Sequence, residues 1–452
     1  MTEPERPFRR LSPLTPLVRG SIFVAAVVFT TWDDLLAGDL GPVGLILLGV
    51  LCVGAVLGYA SWLRTKYWIE ADELRVDTGV VYHQSRRIRI DRLQGIDIVQ
   101  PFVARIFGLA ELKLDVAGGD REGSLAYLPL PEAQELRELL LARRDAVRRA
   151  ASPPVDGTET RPDDRPDEAR RRDWAPPDHD IATLDLGTLV LSMLLSWEAV
   201  GLVVGVAVFG VLSLLSAGAL LVPVLPVVGG FALVQARKLS AFYGFTVAQT
   251  RAGLQVRRGL LERSTQTIAI ARVQGVVVSE PLFWRPLGWA RLDVSVAGYG
   301  NGDDLEGRPA ATTVMPVAPR PLVMEIARQL LRGDDGEAEV DPDTVVLTPP
   351  PAAARWLDPV ARRYRAAGLG ADVVASREGW MTRRTHVVRH ARVQSLRLSQ
   401  GPVQRRLGLA DLHVDSPPGP VRVRARHRRA EDARALLEQE SALAREARAH
   451  SR

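Results

Sequence analysis

One block of sequence occurs three times in this chain, and that repetition limits the fold more than any other feature. Arg92-Leu-Gln-Gly95 returns 180 residues later as Arg272-Val-Gln-Gly275, and 300 residues later as Arg392-Val-Gln-Ser395. The same offsets hold without a gap downstream. Arg105 matches Arg285 and Arg405, Gly108 matches Gly288 and Gly408, and upstream Gly79 matches Gly259 and Gly379. Over 92–118 the first copy shares 11 of 27 residues with the second and 10 with the third. Such a period is the mark of one supersecondary unit used repeatedly.

Each copy has the same local grammar. Apolar/polar alternation predicts strands at 73–76, 254–256 and 373–375, each followed by a turn at Gly79, Gly259 or Gly379. Further strands are predicted at 96–99, 276–278 and 396–398, and again at 112–116, 292–296 and 412–414. Every copy then ends in a helical pattern. Leu136, Leu139 and Leu140 share a face in the first; Val323, Ile326, Leu330 and Leu331 in the second; Ala433, Leu436 and Leu437 in the third. Short strands closed by one helix describe a small barrel with its open end plugged.

Between the repeats lie two apolar blocks. Val18 to about Gly38 and Gly41 to Leu63 each approach the ~20 residues that a helix needs to cross a bilayer. Leu184 to Ala236 is long enough for two more helices, and beyond Asp185 at its start it holds a single charge, Glu198. That carboxylate is read as a buried protonated group or as an ion site. Arg6, Arg9, Arg10 and Arg19 precede the first hairpin, Arg64 and Lys66 follow it, and Arg237 and Lys238 follow the second. The positive-inside rule places both termini and the large segments in the cytoplasm.

The run Leu74…Gly79…Ile90-Asp-Arg-Leu-Gln-Gly…Pro101…Arg105-Ile-Phe-Gly108-Leu-Ala…Leu112…Val116-Ala-Gly resembles the bacterial pleckstrin-homology-like (PH-like) family. The order hairpin, module, hairpin, module, module resembles its YdbS/YdbT-like membrane proteins. This resemblance implies an α+β fold: three PH-like split β-barrels, each closed by a C-terminal helix, plus four transmembrane helices in two hairpins. The expected divisions are an N-terminal tail (1–17), hairpin 1 (18–63), module 1 (64–150), a disordered Pro/Asp/Arg-rich linker (151–183), hairpin 2 (184–237), module 2 (238–333), a linker (334–349) and module 3 (350–446). The third copy departs from the pattern, with Ser395 in place of glycine and Pro417-Pro-Gly in place of Ala-Gly.

The single cysteine, Cys52, excludes an internal disulfide framework, and the seven histidines form no metal-binding pair. No phosphate-cradling loop or nucleophile elbow occurs, and no carboxylate recurs in all copies. No cofactor and no catalytic residue are expected. No nucleic-acid partner is expected, because aromatic platforms do not recur. Arg92, Gln94, Arg272, Gln274, Arg392 and Gln394, with Arg105, Arg285 and Arg405, read as structural groups satisfying backbone at turns. The recurrent glycines read as backbone positions that a side chain would strain. Basic strands at Arg86, Arg87 and Arg89, and at Arg383, Arg384 and Arg389, are the candidate lipid- or partner-binding residues. The expected function is a non-enzymatic membrane scaffold. Its partners would be membrane lipid, other membrane proteins or further copies of itself. A transporter or channel subunit working through Glu198 is the alternative.

Overall fold

The structure is a computed structural model. It describes all residues except 1–8, 33–40, 71–72, 79–83, 117–122, 152–178, 216–223, 251–252, 298–311, 333–340, 418 and 451–452. The chain forms two units: residues 1–176 with 261–266, and residues 177–260 with 267–452.

In the first unit, β1 (Arg9–Arg10), β2 (Lys66–Glu70), β3 (Glu73–Thr78) and β4 (Gln84–Arg89) form one antiparallel sheet in sequence order. A second sheet holds β5 (Leu93–Pro101), β6 (Leu109–Val116) and β7 (Gly123–Pro129). Alternation puts Leu74, Val76, Ile88, Ile96, Ile98, Leu112 and Leu114 inward, and all are buried. A 22-residue helix, Leu130–Ala151, closes the module by inserting Ala133, Leu136 and Leu140. These three positions share one helical face, and Leu139 points outward.

The second unit repeats this plan twice. The first repeat uses β8 (His179–Thr183), β9 (Thr246–Thr250) and β10 (Gly253–Arg258), then β11 (Glu262–Ile268), most of which clusters with the first unit. It continues with β12 (Val273–Pro281), β13 (Trp289–Val296), β14 (Thr313–Pro319) and the helix Arg320–Leu331. The second repeat uses β15 (Ala366–Leu369), β16 (Val373–Glu378), β17 (Thr382–Arg389), β18 (Ser395–Ser399), β19 (Leu409–Asp415), β20 (Val423–Arg429) and the helix Ala430–His450.

Successive repeats are joined by shared sheets. Within the first unit, Glu262 to Thr265 pair with Pro101 to Ile98. Within the second, Thr382 to Val388 pair with Pro281 to Gly275. Glu262 opposite Pro101 and Thr382 opposite Pro281 are the same pair of repeat positions, so both junctions use one register. This explains the departure of the third copy at Ser395. A Cβ on Gly275 would lie 2.7 Å from the Val387 carbonyl oxygen and 2.9 Å from Val388 Cγ2. The crossing strand leaves no room for a side chain there. Among the described residues no strand crosses β18, an edge of its three-stranded sheet, and serine is accommodated. Its hydroxyl donates to the Asp415 carboxylate at 2.9 Å.

Two expected boundaries change. The N-terminal tail is not wholly outside the first module, because Arg9 and Arg10 pair with Tyr67 and Lys66. The linker likewise gives up its last residues: His179–Thr183 form β8 and pair with β9; residues 152–178 lie outside the described set. Both short strands come before a hydrophobic hairpin, and each pairs with the strand after it. The sequence hid this, since partners nearly 60 residues apart carry no local signal. In the third module Thr348 bridges Ala367 of β15, and two short 3-10 turns, Ala352–Trp356 and Ala361–Tyr364, stand where the others carry a hairpin. Arg428 secures that start: its buried guanidinium donates to the carbonyls of Thr348 (2.6 Å) and Ala367 (2.8 Å).

The hairpins contain Thr15–Thr30 and Pro42–Arg64, and then Leu186–Leu194, Trp197–Leu215 and Val224–Phe242. Among the described residues, Gly44–Arg64 is long and apolar enough to cross a membrane alone. Leu186–Leu194 with Trp197–Ser213 passes only as a pair bent by 51°. Thr15–Thr30, at 16 residues, spans about 24 Å. Of the four expected spans, one clear span and one bent pair meet this test among the described residues, which leave out 33–40 and 216–223. Trp62 Nε1 donates to the Leu11 carbonyl at 2.9 Å, tying the first hairpin to its module.

Candidate functional site

The candidate site grows from the strand alternation of β20. Val421, Val423 and Ala425 are buried in the third module, so Arg422, Arg424 and Arg426 project from the opposite face. The alternation stops at His427, a non-glycine residue with φ of 54°, where a register shift turns Arg428 inward. By sequence alone the run from Arg422 to Arg429 alternates as an edge strand whose charges block unwanted pairing. The structure shows two roles: one arginine is a buried clamp and three line a cavity.

That cavity, about 970 Å³, lies wholly within the second unit. Its basic wall is Arg422, Arg424 and Arg426 with Arg384 of β17. Met193, Trp197, Phe242, Leu282 and Trp284 form an apolar wall. Trp197 opens the helix Trp197–Leu215, and Met193 and Phe242 lie near the ends of the two helices beside it. Glu198 also lines the cavity, from the first turn of its helix. The carboxylate that the sequence placed inside an apolar block thus stands at a helix start, beside the arginines.

Six cations line this space: the four arginines above, Lys238 and Arg291. The facing carboxylates are Glu198, Asp293 and Glu378. Asp293 is already engaged, accepting from Arg291 at 2.8 Å and from the Thr313 hydroxyl at 2.7 Å. Glu378 stands 3.7 Å from Nε2 of the buried His386. The proximity of His386, against the opposing effect of burial and with help from Arg426 and Arg365, holds the Glu378 carboxyl down to about 2. Nδ1 of His386 accepts the Arg422 backbone N–H at 3.2 Å. The ring proton therefore sits on Nε2, which lacks a hydrogen-bond partner among the described residues. Gln235 Oε1, also lining the cavity, is buried without a partner. Among the described residues Arg384, Arg422 and Arg424 form no ion pair. The arrangement can hold an anion, because three guanidinium groups without an ion pair among the described residues and one buried ring N–H line the same space.

The helices are fixed to the module at this point. Trp284 Nε1 donates to the Ser192 carbonyl at 3.1 Å, in a buried contact between the 3-10 turn Leu282–Leu287 and the helix Leu186–Leu194. Trp284→Phe is expected to cost about 1 kcal/mol, the net worth of one hydrogen bond, plus lost packing. Thermal melting in detergent would read it.

The other predicted residues lie elsewhere. Arg86, Arg87 and Arg89 are exposed on β4, and Arg89 is paired with Asp91 at 2.8 Å. Arg383 is 3.6 Å from Glu280, outside the cavity lining, and Arg389 is half-buried in β17. Of the six candidate arginines, only Arg384 reaches the cavity. The repeated arginines contact backbone: Arg272 donates to the Ala297 carbonyl, Arg392 to Ala271 at 2.8 Å, and Arg285 to Glu280 at 3.1 Å and Trp380 at 2.7 Å. Gln274 is buried and donates to the Arg272 carbonyl. Gly108, Gly288 and Gly408 take φ of 67°, 65° and 64°, one left-handed turn used three times. Gly79 falls outside the described residues.

The sequence profile of the bacterial PH domain matches three stretches, residues 20–144, 186–334 and 344–444. The chain belongs to the bacterial PH domain family. Its three PH domains correspond to the three repeats, and the first two matches include the hydrophobic hairpins. The chain is also similar to the UPF0699 transmembrane protein YdbT of Bacillus subtilis (strain 168), 24% identical over 300 residues. That match takes in 61% of this chain and 58% of the relative. Similarity to a transmembrane protein supports a membrane location for this bacterial PH domain chain.

Proposed function

We propose that this chain is a non-enzymatic scaffold of the bacterial cell membrane, anchored by two hairpins. Its PH domains face the cytoplasm and bind protein segments or anionic lipid headgroups. One observation carries the reading: each hairpin is an insertion between two paired strands of a PH domain sheet. A chain that leaves and re-enters the same sheet crosses the bilayer an even number of times. The flanking Arg6, Arg9, Arg10, Arg64 and Lys66 assign the cytoplasm to the domain side.

The test is a pull-down of the tagged full chain from detergent-solubilised membranes, with co-purifying lipid and protein identified by mass spectrometry. A reproducible set of anionic lipid or protein partners is expected. If neither exceeds an unrelated two-hairpin control, the scaffold reading fails. For transport through Glu198, solute or proton flux would have to be measurable in vesicles and lost in Glu198→Gln.

A further inference from the structure

We infer that the arginine-lined cavity of the second unit binds one anionic phospholipid. Its phosphate would lie against Arg384, Arg422, Arg424 and Arg426, and its apolar portion against Met193, Trp197 and Phe242. The inference rests on the scaffold reading above and names the ligand of one site within it.

Three observations carry it. The first is the segregation of the walls. The four arginines come from β17 and from residues 422–426 in and just before β20, and the facing apolar side chains come from the helices Leu186–Leu194, Trp197–Leu215 and Val224–Phe242 and from the 3-10 turn that carries Leu282 and Trp284. A ligand matching both walls is an amphiphile with an anionic head. Inorganic phosphate would satisfy the arginines and leave the apolar wall bare. The second is the surplus of charge. Asp293 is occupied by Arg291 and Thr313, which leaves Glu198 and Glu378 against the four arginines and Lys238. The third is two buried polar atoms with no hydrogen-bond partner among the described residues: the donor Nε2–H of His386, 3.7 Å from Glu378, and the acceptor Oε1 of Gln235, which a hydroxyl of the headgroup could meet. Buried groups of that kind are normally satisfied, so each calls for a ligand or water. A volume near 970 Å³ is of the size that small-molecule sites reach.

The arginine strand is built for this without cost to the fold. The triple variant Arg422→Ser/Arg424→Ser/Arg426→Ser changes only the outward positions of β20 and leaves Val421, Val423 and Ala425 in the core.

The experiment uses the full chain in nanodiscs, with phosphatidylglycerol or phosphatidylcholine as probes, and inorganic phosphate as a competitor. Lipid retained through detergent exchange is quantified by native mass spectrometry. The wild type is expected to retain one phosphatidylglycerol in preference to phosphatidylcholine. The triple variant should bind it about 100-fold more weakly, at about 1 kcal/mol per cation. Arg384→Ser, on a different strand, is expected to weaken it about fivefold, and it keeps the test valid if the triple variant misfolds. Equal retention by wild type and both variants overturns the inference. So does full displacement by millimolar phosphate, which would make the site one for a free anion. A protein partner whose binding needs these arginines, with no retained lipid, also overturns it but leaves the scaffold reading standing.

Discussion

Replacing Glu440 with alanine is expected to destabilise the third PH domain by about 3–5 kcal/mol, the cost of stranding one member of a buried ion pair. Glu440 lies on the helix Ala430–His450 with no exposed surface, on the face that also buries Ala433 and Ala444. Its Oε1 is 2.9 Å from Nδ1 of His390, itself 1% exposed. Nε2 of the same ring is 3.2 Å from the Gly370 carbonyl. Both partners are acceptors, so the ring donates from both nitrogens and is a cation. Burial works against that charge, but the bond to Glu440, its field, the Gly370 carbonyl and Asp372 outweigh it and raise the His390 pKa above 6.5.

The pH dependence follows from that direction. A histidine whose folded pKa exceeds its unfolded value contributes fully below about 6.5, and the contribution disappears as pH climbs through the raised value. Domain stability should therefore fall on the alkaline side of 6.5, and His390→Gln should flatten that dependence. Thermal melts of the full chain across pH 6 to 9 would read both effects. Pairing His390→Leu with Glu440→Leu should recover much of the loss, because a packed apolar pair can replace a buried ionic one. A Glu440→Ala variant that melts like the wild type would show that the pair does not hold the helix in place.

The second large effect is expected at Gly275. Valine there puts a Cβ within 2.7 Å of the Val387 carbonyl oxygen, which is main chain and cannot turn aside. Overpacking of this kind costs about 1–3 kcal/mol. It acts at one end of the seven-pair ladder from Gly275–Val388 to Pro281–Thr382, so the junction itself should open. Hydrogen exchange in 382–388 is expected to accelerate in Gly275→Val. Ser395→Val, the same position in the copy that no strand of another repeat crosses among the described residues, should leave β18 protected as in the wild type. Equal loss at both sites would mean that the crossing strand is not the reason for the glycine.

Much of this architecture is readable in the residues. Ungapped offsets locate the repeats, and alternation places the strands. Leu136 and Leu140, or Ile326 and Leu330, mark the closing helices by their spacing. What escapes is everything built from distant partners. Arg9 with Tyr67, and Thr348 with Ala367, are pairings that no local pattern announces. No residue near His390 in sequence announces its partner, because Glu440 lies 50 residues away, on a helix face where an apolar residue is the rule. The cavity was half legible. Arg384 belonged to a recognised basic strand, while Arg422, Arg424 and Arg426 were read as an edge guard. Their alternation was visible, but the surface they face is made by helices far away in sequence.

The insertion of each hairpin between neighbouring strands also bears on how the chain is made. Arg9 and Arg10 leave the ribosome long before Tyr67 and Lys66, and the whole hydrophobic segment must be threaded before they can meet. Should that segment cross an odd number of times, the two halves of the sheet would lie on opposite sides of the lipid and never close. On the proposed topology the domain would thus check its own anchor: only correctly inserted chains could complete the fold, and the rest would keep an open β edge that quality control can find.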